Sequence, residues 1–259
     1  KQIHKKGLLY KGYTIQPYSP KAGTGLSSHE LNQPGTYKDV SDTSVTAQFK
    51  TLQESLPKKL KSDVPLYILA WTTTPWTLPS NTALTVGPKI DYVIIQTYNQ
   101  YTFKPIRVVL ANDLVNKQFT GKYFLVNTIA EFKTYDSESM KIPYLVVKTI
   151  VGKNLEGIRY EKIWREAPDP LDHPENAYRV IVGDFVTTED GTGIVHTAPT
   201  FGVDDAKVAK EASPEVPPLL ILDENKNKVP LVDLQGKFRS KMGQLSGQYV
   251  KNEYYPEGN

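Results

Sequence analysis

Hydrophobic residues along this chain occur mostly in short runs separated by turn-forming residues, a pattern typical of β-strands. The runs predict strands at Ser44–Lys50, Leu66–Trp71, Tyr92–Tyr98, Phe124–Glu131, Tyr178–Val186 and Gly193–Thr197. A late pair of runs, Leu219–Leu222 and Lys228–Leu231, flanks the polar stretch Asp223–Asn227 and predicts a hairpin. Strands therefore dominate the predicted fold.

Helical periodicity is restricted to two segments. Ala111–Gln118 predicts a short helix, and Asp204–Ala212, which begins with acidic residues, predicts a clearer one. The polar stretches Gln53–Asp63 and Ala167–Asn176 are interpreted as loops. Many short strands with few helices predict a mainly β fold with some α, in which a β-barrel-like core of short strands carries peripheral helices.

The segment Trp71–Asn81 combines a predicted strand end with clustered hydroxyl groups. The run Leu66–Trp71 has the character of a buried strand, and Pro75 and Pro79 then end it, because each proline lacks a backbone N–H and fixes φ. Such a segment can hold several oxygen atoms rigidly around a small polar substrate. It equally suits an element that only covers a hydrophobic core, and the local pattern does not decide between these interpretations.

A second polar segment begins at two glycines. Gly191 and Gly193 allow a turn or a close approach of the backbone, and the short strand that follows ends at His196. Asp205 comes nine residues later, in the first turn of the predicted helix. Two polar side chains at such a junction can form a substrate cradle. The alternatives are a histidine with a structural hydrogen bond and a helix cap, for which Asp204 is the better candidate.

The composition excludes several kinds of site. The sequence contains no cysteine, which removes disulfides, thiolate nucleophiles and cysteine-based zinc sites. The four histidines, His4, His29, His173 and His196, include no closely spaced pair, so we expect no metal site. No serine lies in the context of a nucleophile elbow, and the phosphate-loop and dinucleotide-binding fingerprints are absent. We therefore expect no cofactor.

Length, charge and hydropathy set wider limits. The 259 residues suffice for one large or two modest domains, and the net charge of +3 permits nucleic acid as a partner without requiring it. No segment approaches the roughly 18 consecutive apolar residues of a membrane span. The first residues lack the apolar core of a signal peptide. We therefore expect no membrane association and a cytoplasmic location, and the missing initiator methionine indicates an excised fragment or a processed chain.

Together, the two polar segments resemble isoleucyl-tRNA synthetase. Trp71–Asn81 reads Trp-Thr-Thr-Thr-Pro-Trp-Thr-Leu-Pro-Ser-Asn, and Gly191–Pro199 reads Gly-Thr-Gly-Ile-Val-His-Thr-Ala-Pro, with Asp204 and Asp205 following. These motifs are similar to those of the editing domain that is inserted into the nucleotide-binding fold of that family. Valyl and leucyl relatives usually carry Thr-Thr-Arg-Pro in the first motif and lack a histidine at the position of His196.

The resemblance covers nearly the whole chain. Leu26–Glu30 and Tyr37–Val40 are similar to the segment that leads into the insertion, and Val250–Tyr254 is similar to the exit. The resemblance implies three parts: a lead-in segment at residues 1–45, an editing domain at 46–250 and an exit segment at 251–259.

The chain also departs from the family pattern. The His-x-Gly-His and Lys-Met-Ser-Lys-Ser signatures of the full enzyme are absent, which implies that this chain does not activate isoleucine or bind ATP. Many relatives carry a Cys-x-x-Cys pair before the Leu-Ser segment. Here those positions hold Ser19 and Ala22, which excludes a zinc site there.

The resemblance implies roles for the residues after the second motif and around it. Asp205 would pair with the α-ammonium group of the attached amino acid, through a charge-assisted contact. His196 would line the side-chain pocket and, with Trp76 or the region of Thr197, set the size limit that rejects isoleucine. A role for His196 as general base is the weaker alternative.

The resemblance assigns the first motif to the ester and the adenosine. Thr72, Thr73 and Thr74 would hold the terminal adenosine and position the hydrolytic water, with Thr77 and Asn81 as supporting hydrogen-bonding residues. A threonine hydroxyl is a poor general base at neutral pH. Orientation and polarisation of the ester would therefore carry the rate, with a free ribose hydroxyl of the tRNA as a further aid.

The implied function is post-transfer editing, the hydrolysis of mischarged valyl-tRNA(Ile), with Val-AMP left open as a second substrate. One methylene group changes the affinity of a hydrophobic pocket too little for accurate selection, so a second site is needed. The expected partners are the 3′ end of tRNA(Ile) and the remainder of the synthetase, and the isolated domain is expected to be monomeric. Two alternatives remain: an inactive module that binds the tRNA end, and a purely structural insertion.

Overall fold

The computed structural model describes residues 1–9, 15–37, 39 and 41–254. Residues 10–14, 38 and 40 of the predicted lead-in segment and residues 255–259 of the predicted exit segment lie outside the described residues. The strands of the described part are β1 (Tyr18–Ser19), β2 (Thr24–Gly25), β3 (Val45–Lys50), β4 (Leu66–Thr72), β5 (Ala83–Val86), β6 (Asp91–Tyr98), β7 (Pro105–Ala111), β8 (Tyr123–Leu125), β9 (Ile142–Val151), β10 (Arg179–Val182), β11 (Ile194–Thr197), β12 (Ile221–Leu222) and β13 (Lys228–Val229).

Helices are few and short in the described ranges. The α-helices are α1 (Gln2–Lys5), α2 (Ser28–Leu31), α3 (Val115–Gln118), α4 (Ile129–Lys133) and α5 (Val203–Glu211). Short 3₁₀ segments lie at Gln53–Ser55, Lys58–Leu60, Pro75–Ser80, Asn112–Leu114, Gly152–Leu155, Pro174–Asn176, Ser240–Leu245 and Asn252–Tyr254. The predicted fold class, mainly β with some α, is confirmed.

One mixed sheet of nine strands forms the centre of the molecule. Its strands run in the order β10-β5-β11-β4-β7-β6-β9-β8, and β3 pairs with β4 outside this path. Strands β4, β6 and β7 are buried on both faces, because alternate side chains enter two different hydrophobic clusters. In β4, for example, Leu66 and Ile68 belong to one cluster and Leu69 to the other. This two-sided burial explains why these strands are nearly continuous apolar runs.

Strand β4 is the branch point of the sheet. One of its edges pairs with β3 along its length, and the other is shared between β7 near its start and β11 near its end. The change of partner occurs where β7 stops, since the N–H of Ala111 donates to the carbonyl of Thr192 just before β11. Strand β11 runs parallel to β4, with Val195 opposite Trp71. The carboxyl ends of both strands therefore emerge on the same side of the sheet.

The predicted barrel is not present. Among the described strands the sheet is open, because β10 and β8 lie at opposite ends of the path and do not pair with each other. The branch at β4 gives the physical reason. A strand that shares one edge between two partners directs β7 and β11 into separate arms, and these arms do not close into a ring.

The predicted strand Phe124–Glu131 is wrong over most of its length. Strand β8 ends at Leu125, and α4 begins at Ile129. Thr128 starts this helix as its N-cap, because its hydroxyl accepts the N–H of Glu131 at 3.2 Å while the Glu131 carboxylate accepts the N–H of Asn127 at 2.9 Å. Local capping by polar side chains thus overrides the apolar character of the segment.

The other predicted elements agree with the structure to different degrees. The helix predicted at Asp204–Ala212 is confirmed as α5, shifted by one residue. The predicted hairpin is confirmed but shorter, as β12 and β13. In the segment Ala111–Gln118, Ala111 ends a strand and the α-helix begins only at Val115. The pattern did not predict β5, β7 or β9.

Candidate functional site

A cavity of about 850 Å³ lies where β4 and β11 end. Its far side is formed by residues 15–20 and by parts of the segment 230–254. Its near side contains most of the residues singled out from the sequence: Thr72, Thr73, Thr74, Trp76, Thr77, His196 and Asp205. The two polar segments, more than a hundred residues apart in sequence, thus share one cavity.

The three threonines form the turn that follows β4. Thr72 is the last strand residue and is buried, whereas Thr73 and Thr74 are exposed. The Thr72 hydroxyl accepts the N–H of Thr74 at 3.1 Å and lies 3.3 Å from the Thr74 hydroxyl. Pro75 then starts a 3₁₀ segment, at a position where the missing N–H costs no hydrogen bond. The result is a short turn with two hydroxyl side chains at the surface.

His196 has hydrogen bonds at both ring nitrogens. Its Nδ1 lies 2.9 Å from the Asn81 side-chain nitrogen, and its Nε2 lies 3.0 Å from the Thr77 hydroxyl. An amide nitrogen only donates, so Nδ1 is the acceptor and the network assigns the proton of the neutral ring to Nε2. The Thr77 hydroxyl oxygen accepts a hydrogen bond from this Nε2–H group, and the Thr77 hydroxyl donates a hydrogen bond to the carbonyl of Thr74 at 2.8 Å. The imidazole therefore links β11 to the threonine turn.

The surroundings of His196 keep its ring neutral. The residue is only 6% exposed, and burial lowers the pKa of its ring to about 4. At neutral pH the lone pair on Nδ1 accepts a hydrogen bond from Asn81, and Nε2–H donates a hydrogen bond to Thr77. A ring in this state can form a cavity wall but has no free basic nitrogen for proton abstraction.

Asp205 lines the cavity, and one of its two carboxylate oxygens is held by the backbone. Its Oδ2 accepts the N–H of Ala198 at 2.9 Å, and no hydrogen bond from the described residues reaches Oδ1. Burial, and secondarily the charge of Asp204, raise the pKa of the Asp205 carboxyl. A half-buried carboxylate with a free oxygen is suited to a cationic group, which offsets the cost of burying its charge.

The expectation that Asp204 caps the helix is wrong. The N-cap of α5 is Gly202, and no side chain caps this helix end. Asp204 is the second helical residue and is exposed. It supplies negative charge to the first turn, which the helix dipole favours.

Two residues of the predicted site lie behind the cavity wall. Asn81 is buried between His196 and the carbonyl of Ala83, to which its side-chain nitrogen donates at 2.7 Å. Thr197 is fully buried, and its hydroxyl lies 2.6 Å from that of Thr85. Neither residue lines the cavity, and both lie behind the residues that do.

Trp76 and the glycines shape the edge of the cavity. The Trp76 ring packs edge-to-face on Phe201, with centroids 4.9 Å apart. Gly191 and Gly193 have φ values of 70° and 69°, as a turn before β11 requires. A side chain on Gly191 would also meet the ring of Trp71. The expected turn and close approach at these glycines are confirmed.

Sequence reasoning missed several residues around the site. The N–H of Ala198 positions Asp205, Thr200 and Phe201 line the cavity, and the Tyr160 hydroxyl bonds to Asn81. A backbone N–H gives no side-chain signal in a sequence. The Tyr160 contact depends on strand pairing, so no local motif could have indicated it.

Other features bear on the kind of protein. Within the described ranges, no group of three or more His, Cys, Asp or Glu side chains is arranged to hold a metal ion. None of the helices in that part of the chain is long and apolar enough to cross a membrane.

Comparison with known proteins identifies the relatives. No protein-family model matches the chain. It is 53% identical over 255 residues to isoleucine–tRNA ligase of Cytophaga hutchinsonii, covering 98% of this chain and 22% of that protein. The corresponding values for the Bacteroides fragilis enzyme are 55% over 254 residues, 97% and 21%. For Picrophilus torridus they are 37% over 250 residues, 96% and 19%.

Among solved structures, the editing domain of the P. knowlesi cytosolic leucyl-tRNA synthetase matches with a TM-score of 0.46 and 13% identity, covering 66% of this chain and 63% of that one. The chain spans about a fifth of the length of the curated relatives that it matches. Over nearly its whole length, this chain belongs to the isoleucine–tRNA ligase family.

Proposed function

We propose that this chain is the editing part of an isoleucine–tRNA ligase and that it hydrolyses the ester of valyl-tRNA(Ile). The observation that supports this most is the combination of groups around one cavity: a half-buried carboxylate, a neutral histidine wall and a turn of exposed hydroxyls. These are the groups needed to bind an aminoacyl ester with a free ammonium group.

The first step is recognition of the amino acid. The free oxygen of Asp205 would accept a hydrogen bond from the α-ammonium group, with Oδ2 held in place by Ala198. The valine side chain would point towards His196, whose buried ring cannot move aside without losing its contacts with Asn81 and Thr77. The additional methylene of isoleucine would then meet a rigid wall.

The second step is hydrolysis. Thr73 and Thr74 are exposed to the cavity and would hold the terminal ribose and the attacking water. Since His196 lacks a free basic nitrogen, the water would be activated by orientation and by the ribose hydroxyl beside the ester. Attack on the ester carbonyl breaks the bond to the ribose oxygen and yields valine and free tRNA. The pocket-wall role of His196 is thus favoured over the general-base role.

The proposal includes partners and location. The 3′ end of tRNA(Ile) carries the substrate. The second partner is the remainder of the synthetase, in the full-length protein. The chain would act as a monomer in the cytoplasm, where charged tRNA is consumed. Val-AMP is a second candidate substrate, to be tested by incubating it with the chain and measuring the release of valine.

The test is a deacylation assay on this chain with valyl-tRNA(Ile) and isoleucyl-tRNA(Ile). We expect the valyl ester to be lost much faster than in buffer, and the isoleucyl ester to be left intact. A parallel binding measurement separates the alternatives. Binding of valyl-tRNA(Ile) without hydrolysis would indicate an inactive binding module, and neither binding nor hydrolysis would indicate a structural insertion.

A further inference from the structure

We propose that Tyr160 is a positioning residue of the editing site, and that it acts through Asn81 to fix the orientation of His196. Tyr160 lies outside the cavity lining and is only 1% exposed. The proposal rests on the proposed function for its effect on editing, but the orientation of His196 can be measured independently of any activity.

The position of Tyr160 is determined by the main hydrophobic core. Its ring packs edge-to-face on Phe49, with centroids 5.3 Å apart, and its backbone N–H donates to the carbonyl of Tyr178 at 3.1 Å. Residue 160 also forms an isolated β-bridge with Thr51. These contacts hold the phenol rigidly, so its hydroxyl is a fixed reference point inside the protein.

The polar end of Tyr160 has one well-defined partner. Its hydroxyl donates to the side-chain oxygen of Asn81 at 2.7 Å. On the opposite end of that amide, the nitrogen donates to the carbonyl of Ala83 at 2.7 Å. A carbonyl only accepts, so the nitrogen of Asn81 must face Ala83 and its oxygen must face Tyr160. The contact with Ala83 excludes the flipped orientation of the amide, and the Tyr160 hydroxyl holds the oxygen end in place.

The orientation of Asn81 then determines the state of His196. The amide nitrogen that faces Ala83 also faces Nδ1 of the imidazole at 2.9 Å. Nδ1 must therefore accept the hydrogen bond from Asn81, and the ring proton must lie on Nε2. The Thr77 hydroxyl oxygen then accepts a hydrogen bond from Nε2–H. The hydrogen bonds run in one direction from the core to the carbonyl of Thr74, so Tyr160 anchors the amide that determines the tautomer of His196, a ring that it does not touch.

Removal of the Tyr160 hydroxyl should loosen this arrangement. In Tyr160→Phe the ring remains, but the buried oxygen of Asn81 loses its donor and the amide is held at one end only. We expect a second His196 tautomer to become populated, and the rate of valyl-tRNA(Ile) hydrolysis to fall on the order of 10-fold, the effect of one buried hydrogen bond. Discrimination against isoleucyl-tRNA(Ile) should weaken at the same time.

The decisive measurement is long-range ¹H–¹⁵N NMR of the imidazole rings in the 259-residue chain at neutral pH. In the wild type, the His196 nitrogens should show the separated shifts of a single Nε2–H tautomer. In Tyr160→Phe these shifts should move towards each other. Tyr98→Phe is the matched control, because it removes a tyrosine hydroxyl that bonds to the distant carbonyl of Phe132.

A double-mutant cycle separates positioning from packing. If Tyr160 acts through Asn81, Tyr160→Phe should have no further effect on His196 or on hydrolysis in an Asn81→Ala background. Unchanged His196 shifts in Tyr160→Phe, with only a loss of stability, would overturn the proposal. If the wild type does not hydrolyse valyl-tRNA(Ile), the proposed function fails, and the NMR result still decides whether Tyr160 positions His196.

Discussion

At the scale of single residues, the character of the site depends on how few groups are free to react. Both nitrogens of His196 and one oxygen of Asp205 are occupied by neighbours. Among the groups singled out above, Oδ1 of Asp205 and the exposed hydroxyl of Thr73 have no hydrogen bond from the described residues. If the proposed function is correct, such a site would act by binding and orienting its substrate, and we expect substitutions to change its selectivity more readily than its chemistry.

We predict that His196→Ala makes isoleucyl-tRNA(Ile) a substrate. Loss of the imidazole leaves a space in the cavity wall that is larger than one methylene group, so the steric barrier to isoleucine disappears. The measurement is the rate of deacylation of both esters. His173→Ala is the control, because His173 is exposed, pairs with Glu175 at 3.2 Å and is not one of the residues that line the cavity. If the His196→Ala variant still does not hydrolyse isoleucyl-tRNA(Ile), other residues must set the size limit.

We predict that Asp205→Asn lowers kcat/KM for valyl-tRNA(Ile) by about 10- to 100-fold, the effect of losing one hydrogen bond to a charged group. Asparagine retains an oxygen for the N–H of Ala198, so the fold should be preserved. Asp204→Asn is the matched control. It removes the same charge from the neighbouring exposed position, and its kcat/KM should stay close to that of the wild type. Equal losses in the two variants would indicate a general effect of charge on tRNA binding.

At the scale of elements, the sequence pattern predicted the strands in the middle of the sheet better than its other parts. β4 and β6 are buried on both faces and read as apolar runs. The pattern missed β7 and β9, which have a proline at their first and second residue, Pro105 and Pro143. Proline is tolerated at the start of a strand, where a missing N–H breaks little of the ladder. Both prolines are therefore compatible with strands.

The candidate site could also be predicted only in part from the sequence. Its residue types could be predicted from two motifs, but the contact between Asn81 and His196 depends on the pairing of β5 with β11, in which His196 lies opposite Leu84. The register between two strands that are far apart in sequence is determined by the whole sheet, so a local sequence pattern does not predict it. The occupied state of the imidazole therefore became evident only from the structure.

The junction of β7 and β11 gives a prediction at this scale. Gly193 has a positive φ, and a Cβ built on it would lie 2.4 Å from the Cβ of Ala111. Gly193→Ala should therefore destabilise the chain by about 1–3 kcal/mol more than backbone strain alone would. Gly157→Ala is the matched control, because Gly157 also has a positive φ but no atom within 4 Å of the added carbon.

Urea unfolding of the two glycine variants supplies the measurement. Backbone strain alone should cost each about 1 kcal/mol of the free energy of unfolding. The excess loss in Gly193→Ala reports the contact between the two strands. Similar losses in both variants would mean that β11 can move away from β7, and that the end of β4 does not hold the cavity rigidly.

At the scale of the whole molecule, the cavity lies between the central sheet and segments from both ends of the chain. Its far wall includes Tyr18 from the first part and Val232 and Val250 from the last. The last part has its own hydrophobic cluster, which contains Leu231, Phe238 and Met242. Trp76 packs against that cluster and so joins it to the threonine turn. Global stability and the shape of the site are therefore linked.

The burial of His196 in the cavity wall predicts that the stability of the folded chain depends on pH. The His196 ring has a pKa of about 4 in the folded chain against 6.5 as its ordinary value. As the pH falls from 6.5 towards 4, His196 becomes protonated in the unfolded chain but stays neutral in the folded chain. The free energy of unfolding therefore decreases over this range. His196 alone should remove about 2 kcal/mol of the free energy of unfolding between pH 7 and pH 5.

The measurement is urea unfolding at both pH values for the wild type and for His196→Asn, which keeps an acceptor near Asn81 but does not titrate. The carboxylates are common to both chains, so their contributions cancel in the difference. Asp205, whose raised pKa favours the folded chain as the pH falls, cancels in the same way. The variant should lose less stability than the wild type, by about 2 kcal/mol. An equal loss in both chains would mean that solvent and protons reach the His196 ring in the folded chain, which would contradict the buried, fixed cavity wall on which the proposed size limit depends.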